Sequence, residues 1–388
     1  MNVLFIASDN NYTSGAFLSM VKLNEILNRD FAVNTFVVLP NDGDGIELLV
    51  AANISYEVVP SRNWIVDIED GKTGQREREK QIELAQNVDA VTRIVELIKE
   101  KEIDLVHINT SYSYVGAEAA KRCNIPFIWH IREFLEEDQN RKIWDKEQGY
   151  ALMESADAIV AISNSIYEKY KDIFPENKLH VIYNGIDEKT FYNPTKKIFQ
   201  NEIVSLGITG GVVPHKGQEE LIRACGMLLE KGIDNFVLHI YGKGKDTYRE
   251  YLNQIVVEKH LENHVIFEGP SNNIPKVLED IDVLCVCSRN EAFGRTTVEG
   301  MMAGCVLIGA DTSGTMELLE SGRSGYLYKQ GSTKSLAETI EYVLKNKNKA
   351  ESVRLAGQRK AVERYTAYKN AKEILELYQR IKGGKDEC

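Results

Sequence analysis

Residues Ser288 to Glu317 read SRNEAFGRTTVEGMMAGCVLIGADTSGTME, and the rest of the chain is best understood outward from them. Just before this segment, Ile281 to Cys287 is an apolar run broken only by Asp282, the pattern of a strand buried on both faces. Within it, Val306 to Ile308 restarts a run of the same kind. Between the two runs the sequence predicts a loop, Ser288 to Arg295, and a short helix whose first turn holds Thr296, Thr297 and Glu299. Glu291 then lies in a strand-to-helix loop and Glu299 near a helix start. In a parallel sheet that is the carboxyl edge of the strands, where open α/β folds bind ligands. Free backbone N–H groups at such a helix start suit a phosphate. A purely structural alternative also fits, because Thr296-x-x-Glu299 has the form of a capping box.

A Glu, then Ala-Phe-Gly, then a second Glu eight residues on, followed by Met-x-x-Gly, resembles the retaining glycosyltransferases of family 4. The resemblance implies the GT-B fold: two Rossmann-like α/β domains with parallel sheets, facing one another across a cleft. It further implies that Glu291, Ala292, Phe293 and Gly294 contact the donor sugar, with Arg295 and Thr296 beside them, and that Glu299 holds the nucleotide ribose.

At 388 residues, the chain exceeds one ordinary domain and suggests about two. Its 43% hydrophobic and 27% charged residues are those of a globular protein, and no run approaches the ~20 apolar residues of a membrane span. Met1 to Ala7 is apolar, without a basic leader or a small-residue cleavage site, and so reads as a first strand. The cysteines at 123, 225, 285, 287, 305 and 388 lack metal-ligand spacing, and Cys285 and Cys287 share one strand face. No metal is expected, and a reduced, cytoplasmic setting follows. The net charge of −11 argues against general nucleic-acid binding.

From the start of the chain, Val3 to Ala7 reads as a buried strand, followed by a polar loop and a helical apolar stripe from Ala16 to Leu27. No complete G-x-G-x-x-G occurs there; Ser14-Gly15 opens the helix. The family places a glycine loop facing the donor phosphates at this point, which makes Gly15 the candidate, against a plain tight turn. Strands are expected at Phe36–Leu39, Ile54–Val59 and Leu105–Ile108. The charge run Arg76 to Lys80 reads as a solvated face. Trp64, in a part of the first domain that helps the family bind acceptor, is noted with it. Pro126 to Trp129 forms a strand that delivers His130, Arg132 and Glu133 at its carboxyl end. The resemblance puts His130 close to the anomeric carbon and the acceptor; the alternative is a satisfied core imidazole beside an Arg-Glu ion pair.

Ala156 to Ser163 reads as a strand with a capped helix after it, and Val181 to Asp187 as a strand and turn that resembles the family's interdomain junction. Tyr192 to Lys197 has linker composition, which places the boundary near 190. The domains are then 1–190 on the acceptor side and 191–367 for the nucleotide sugar, with a final helix at about 368–382 packing back on the first. The tail Gly383 to Cys388 is expected to fray.

In the second domain, Lys216-Gly217 matches the family's phosphate-gripping Lys-Gly, but the position of its partner Arg is Gly211. One cation of the clamp is therefore missing, and Arg295 is a candidate to supply it from another direction. The loops Tyr241–Gly244 and Gly269–Asn273 match those that hold the base through backbone groups, so side chains do not distinguish uracil from guanine. The implied reaction moves a sugar, with retention, from a nucleotide-sugar donor, UDP-sugar favoured over GDP-sugar, to a hydroxyl of a glycan or lipid-linked acceptor. His130, Glu291 and Lys216 are its expected catalytic groups, with no cofactor beyond the donor. The resemblance allows peripheral association with the inner face of the cell membrane. Two rivals stand beside this reading: a non-catalytic GT-B subunit that binds a partner transferase or glycan, and a GT-B sugar-nucleotide epimerase.

Overall fold

Thirteen short, largely apolar strands account for two parallel sheets in the computed structural model, which describes residues 1–68 and 74–383, and two more form a small antiparallel pair. The chain divides into two compact units: Met1–Gly185 with the residues from Ala367 on, and Ile186–Thr366.

The first unit contains β1 (Asn2–Ile6), β2 (Asn34–Leu39), β3 (Ser55–Val58), β4 (Ile65–Asp67) and β5 (Leu105–Ile108). It continues with β6 (Phe127–Ile131), β7 (Arg141–Ile143), β8 (Ala158–Ala161) and β9 (Leu179–Val181). Seven of these form a sheet in the order β3-β2-β1-β5-β6-β8-β9, every neighbour parallel. The order reverses between β1 and β5, so the loops leaving those strands diverge and open a crevice at their carboxyl ends. Two expectations shift: β2 begins two residues early, at Asn34, and β9 ends where the reading had begun it. The antiparallel pair β4–β7 has no signature in the sequence, because three-residue strands carry too few alternations to register.

The helix Ala367–Gly383 completes this core. Its residues Ala371, Ile374, Leu377 and Tyr378 pack among Phe17, Met20 and Ile26 of the helix Gly15–Phe31 and the buried residues of β1.

The second unit holds β10 (Val204–Thr209), β11 (Phe236–Tyr241), β12 (Val265–Gly269), β13 (Val283–Val286), β14 (Val306–Ala310) and β15 (Tyr326–Tyr328). They form one parallel sheet, β12-β11-β10-β13-β14-β15, the doubly wound order with its reversal between β10 and β13. Alternate residues of β10 and β11 and their neighbours meet the helices Gln218–Glu230 and Thr333–Lys345 in a core that includes Cys225, Cys285 and Cys287. All five cysteines within the described residues are free thiols.

The linker composition of Tyr192–Lys197 proves misleading, because Lys196 is buried in the second unit. Its ammonium donates to the carbonyls of Leu278 and Ile281, at the end of the helix Ile274–Asp280. A cation there satisfies carbonyls that the ending helix leaves open. The charge run is also not uniformly solvated. Arg78 and Glu79 are exposed, but Lys80 is buried and donates to the Asn63 carbonyl at 2.7 Å. The side chains of Arg76 and Glu77, and the tail from residue 384, lie outside the described residues. Among those described, no helix is long and apolar enough to cross a membrane.

Candidate active site

Two polar clusters occupy the carboxyl edges of the two sheets, and each is taken on its own.

In the second unit, the chain leaves β10, passes Gly210-Gly211 and makes a single 3-10 turn, Pro214–Lys216. It then swings through Gly217 into the helix Gln218–Glu230. Gly217 is required twice over: its φ is +78°, and a Cβ would stand 2.3 Å from the Cys287 carbonyl. That close approach seats the turn directly on the strand β13. The Arg289 amide, donating to the His215 carbonyl at 2.9 Å, ties the two loops together. As a result Lys216 and Glu291, 75 residues apart in sequence, meet in an ion pair of 2.6 Å. It sits on the loops of β10 and β13, where the sheet order reverses. Both side chains stay partly exposed, at 29% and 19%.

Glu291, Ala292 and Phe293 are held from behind by Gly314. Its amide donates to the Glu291 carbonyl at 2.8 Å, and a Cβ on it would lie 2.5 Å from the Phe293 carbonyl. Phe293 is buried edge-on against Tyr365, 6.0 Å between centroids. Gly294, at φ +94°, is the N-cap of the helix Arg295–Ala303. This overturns the capping-box alternative: Thr296 lies inside the helix, and no side chain caps it. Glu299 instead pairs with Arg295 across one turn, at 3.1 Å. Burial raises the Glu299 carboxyl above its ordinary range, against the opposing pull of Arg295. Thr297 is fully buried, and its Oγ1 has no hydrogen-bond partner.

Gly211 is exposed, with only a Val213 methyl within 4 Å of where its Cβ would be, at 3.9 Å. Nothing steric demands glycine there. The neighbouring loops do interlock: the Val212 amide donates to the Lys243 carbonyl at 2.9 Å, and a Cβ on Gly242 would stand 1.7 Å from the Gly210 carbonyl. Lys243, on the exposed side of that lock, is a nearby cation that the sequence reading passed over.

In the first unit, Gly15 is the first residue of its helix, behind the N-cap Ser14. The Ser14 hydroxyl donates to Asp9, whose carboxyl is raised by burial. His130 is the penultimate residue of β6 and is fully buried. Its Nδ1 lies 3.0 Å from His107 Nε2 and 3.2 Å from Arg132 Nη2, while its own Nε2 has no partner. His107, on β5, is in turn 2.5 Å from the Tyr378 hydroxyl. The Arg132 guanidinium also donates to Asn109 (2.8 Å) and to Asn184. Glu133 accepts from the backbone amides of Ser111 (2.7 Å) and Arg132 (3.2 Å), and burial pushes its carboxyl up to about 7.

Trp64 does not offer an open ring. It is buried, stacked on Trp129 at 5.8 Å, and its indole N–H donates to the Ser111 carbonyl at 2.6 Å. Missed altogether were His107 and Tyr378. The one available signal was a single histidine interrupting the apolar run Leu105–Ile108, whereas His130 stood out at the carboxyl end of its strand with Arg132 and Glu133 beside it. Among the described residues, no group of three or more His, Cys, Asp or Glu is arranged to hold a metal ion.

The profile described as glycosyl transferases group 1 matches residues 194–360, and that of glycosyltransferase family 4 matches residues 56–190. An uncharacterized glycosyltransferase of Methanocaldococcus jannaschii is 26% identical over 299 residues, covering 71% of this chain and 75% of its own. The N-acetyl-alpha-D-glucosaminyl L-malate synthase of Bacillus anthracis is 25% identical over 59% of this chain and 60% of its own. Among solved structures, Anabaena HepE in complex with UDP-glucose superposes with a TM-score of 0.79 at 24% identity, over 98% of this chain and all of that one. The sucrose-phosphate synthase of Thermosynechococcus elongatus does so at 0.74 and 15%, over 99% of this chain. The shared fold is GT-B.

Proposed function

Because the chain belongs to the group 1 glycosyltransferases, with a family 4 N-terminal region, we propose that it moves a sugar from a nucleotide-sugar donor to a hydroxyl, with retention at the anomeric carbon. The observation that carries this reading is the Lys216–Glu291 ion pair at the sheet reversal of the second unit. It joins the residue suited to a diphosphate to the residue suited to sugar hydroxyls. In the free protein each neutralises the other. A donor would exchange that pair for two others: the ammonium with the diphosphate, the carboxylate with sugar hydroxyls.

The chemical demand is to stabilise a leaving diphosphate and a cationic sugar. Lys216 meets the first, aided by amides at the starts of the helices Gln218–Glu230 and Arg295–Ala303. Glu291 orients the sugar, and Glu299 takes the ribose. The bond between the anomeric carbon and the diphosphate oxygen breaks as the acceptor oxygen bonds to the same face, and the acceptor proton passes to the departing diphosphate. His130, in the first unit, serves the acceptor as a hydrogen-bonding group. This scheme needs no metal ion. A UDP-sugar is the favoured donor, as in the UDP-glucose complex of HepE. A glycan acceptor fits relatives such as the capsular polysaccharide biosynthesis glycosyltransferase CapM of Staphylococcus aureus, 23% identical over 57% of this chain.

Melting curves with UDP, GDP and UDP-glucose test the reading. A ligand that binds only the folded chain raises Tm with its concentration. The expected result is a rise with UDP compounds that Lys216→Ala abolishes. No rise with any nucleotide would favour a non-catalytic GT-B subunit, a reading to which the cation missing at Gly211 lends support.

A further inference from the structure

Arginine has no lone pair to offer, so where Arg132 Nη2 meets His130 Nδ1 at 3.2 Å, the guanidinium donates and the imidazole nitrogen accepts. His130 Nδ1 is then unprotonated, and the proton of the neutral ring lies on Nε2. The same logic runs back through the next contact. His107 Nε2, 3.0 Å from that same Nδ1, must donate to it, which leaves His107 Nδ1 as an acceptor. The Tyr378 hydroxyl, 2.5 Å away, supplies the matching donor. Every contact is satisfied with one direction of donation, from Tyr378 through His107 to His130.

We propose that Tyr378 and His107 are positioning residues that hold His130 as a neutral imidazole protonated on Nε2, a fixed hydrogen-bond donor toward a bound substrate hydroxyl. The task of that donor rests on the glycosyl-transfer reading above; the lock itself does not.

Three further observations support it. Burial, with the nearby guanidinium, holds both imidazoles well below the usual histidine range, so neither ring carries charge near neutral pH. His107 is stacked on Phe5 at 4.4 Å, which fixes its ring plane. Finally, the His130 Nε2 is buried with no partner. A buried N–H without an acceptor is costly, and natural proteins retain few of them. Retaining one at the end of a directed chain of donors points to a group that bound substrate would satisfy. The arrangement also excludes a role as general base, since the lone pair of His130 faces inward and is already shared by two donors.

The register explains how the chain arises. His107 pairs with Ile128 of the adjacent strand, so His130 lies two residues further along and on the same face. Tyr378, 271 residues beyond His107, comes from the helix that closes the first unit.

Two-bond nitrogen–proton correlation spectra of ¹⁵N-histidine-labelled protein, assigned with single His→Gln variants, read the tautomers directly. The expected result at pH 7 is a neutral, Nε2-protonated ring for both His130 and His107, with Tyr378→Phe shifting the His107 Nδ1 resonance as that nitrogen loses its donor. A cationic or Nδ1-protonated His130, or spectra unmoved by Tyr378→Phe, would overturn the proposal. Turnover of UDP-glucose supplies the second readout. Tyr378→Phe should lower kcat by roughly tenfold with KM unchanged, the scale typical of partners standing behind a functional histidine. His130→Gln, whose amide N–H takes the place of Nε2–H, should retain more activity than His130→Ala; equal losses in the two would overturn the donor role. If the wild type binds and turns over no nucleotide sugar, the transfer reading fails while the tautomer result stands.

Discussion

The polar cluster of the second unit is an ion pair, partly exposed; that of the first is buried, with uncharged imidazoles beside the Arg132 guanidinium. Lys216 and Glu291 satisfy one another in a pair that solvent reaches. His130, His107 and Tyr378 form a directed chain from which water is excluded and in which ionisation is suppressed by burial. The contrast follows from what each cluster is held by. The first rests on glycine contacts, Gly217 on Cys287 and Gly314 on Glu291, that bring two loops together. The second rests on strand register and on a helix from the end of the chain. A loop-borne ion pair can open for a diphosphate at small cost, whereas a core-borne imidazole gains a fixed tautomer and gives up adaptability.

The comparison is broken most severely by Gly217→Ala. A left-handed φ and a backbone oxygen 2.3 Å from the new Cβ should together cost about 3–4 kcal/mol. Urea unfolding would show the loss, and an unchanged midpoint would mean that the turn is not pinned to β13.

Glu133 gives the next effect, through pH. Its folded carboxyl is raised to about 7 from an ordinary 4.5, so the folded state binds the proton more tightly than the unfolded state does. The resulting stabilisation is fully present below pH 4.5 and is lost as pH rises through 7, at most about 3 kcal/mol. Glu133→Gln should flatten that part of the stability–pH profile; a slope equal to wild type between pH 4.5 and 7 contradicts the assignment.

Lys216→Ala removes a charge-assisted partner and should lower kcat/KM for UDP-glucose about 30-fold, near 2 kcal/mol, while moving Tm little. Trp64→Phe keeps the stack on Trp129 but orphans the Ser111 carbonyl, costing about 1 kcal/mol of stability and leaving turnover intact. A comparable loss of activity in that variant would restore Trp64 to the acceptor site. Smallest of all, Gly211→Arg places a cation in open space and should tighten UDP binding by about threefold without changing stability. Weaker binding would show that the backbone at Gly211, not charge, serves the phosphate.

Much of the second cluster was legible because its parts are local. Glu291, Phe293, Gly294 and Glu299 fall within nine residues, and Lys216-Gly217 is one dipeptide. Some chemistry is reassigned by context. The capping-box alternative at Thr296-x-x-Glu299 falls away because Gly294 ends the loop in a left-handed turn and Glu299 pairs with Arg295. Lys196 looks like linker until its ammonium finds the open carbonyls of a buried helix end. Trp64 looks like a ligand platform until Ser111 takes its N–H.

The sequence by itself determined two Rossmann-like sheets, because apolar strands that alternate with amphipathic helices have few other ways to bury both faces. It also determined the residue types at the loops of β10 and β13, since those are written side by side. Only the tertiary structure decided that Lys216 meets Glu291, that Arg132 turns to His130 and two asparagines, and that Tyr378 reaches His107. Those pairings depend on strand register and chain closure over tens to hundreds of residues, and a pattern with a period of two or 3.6 residues carries no record of either.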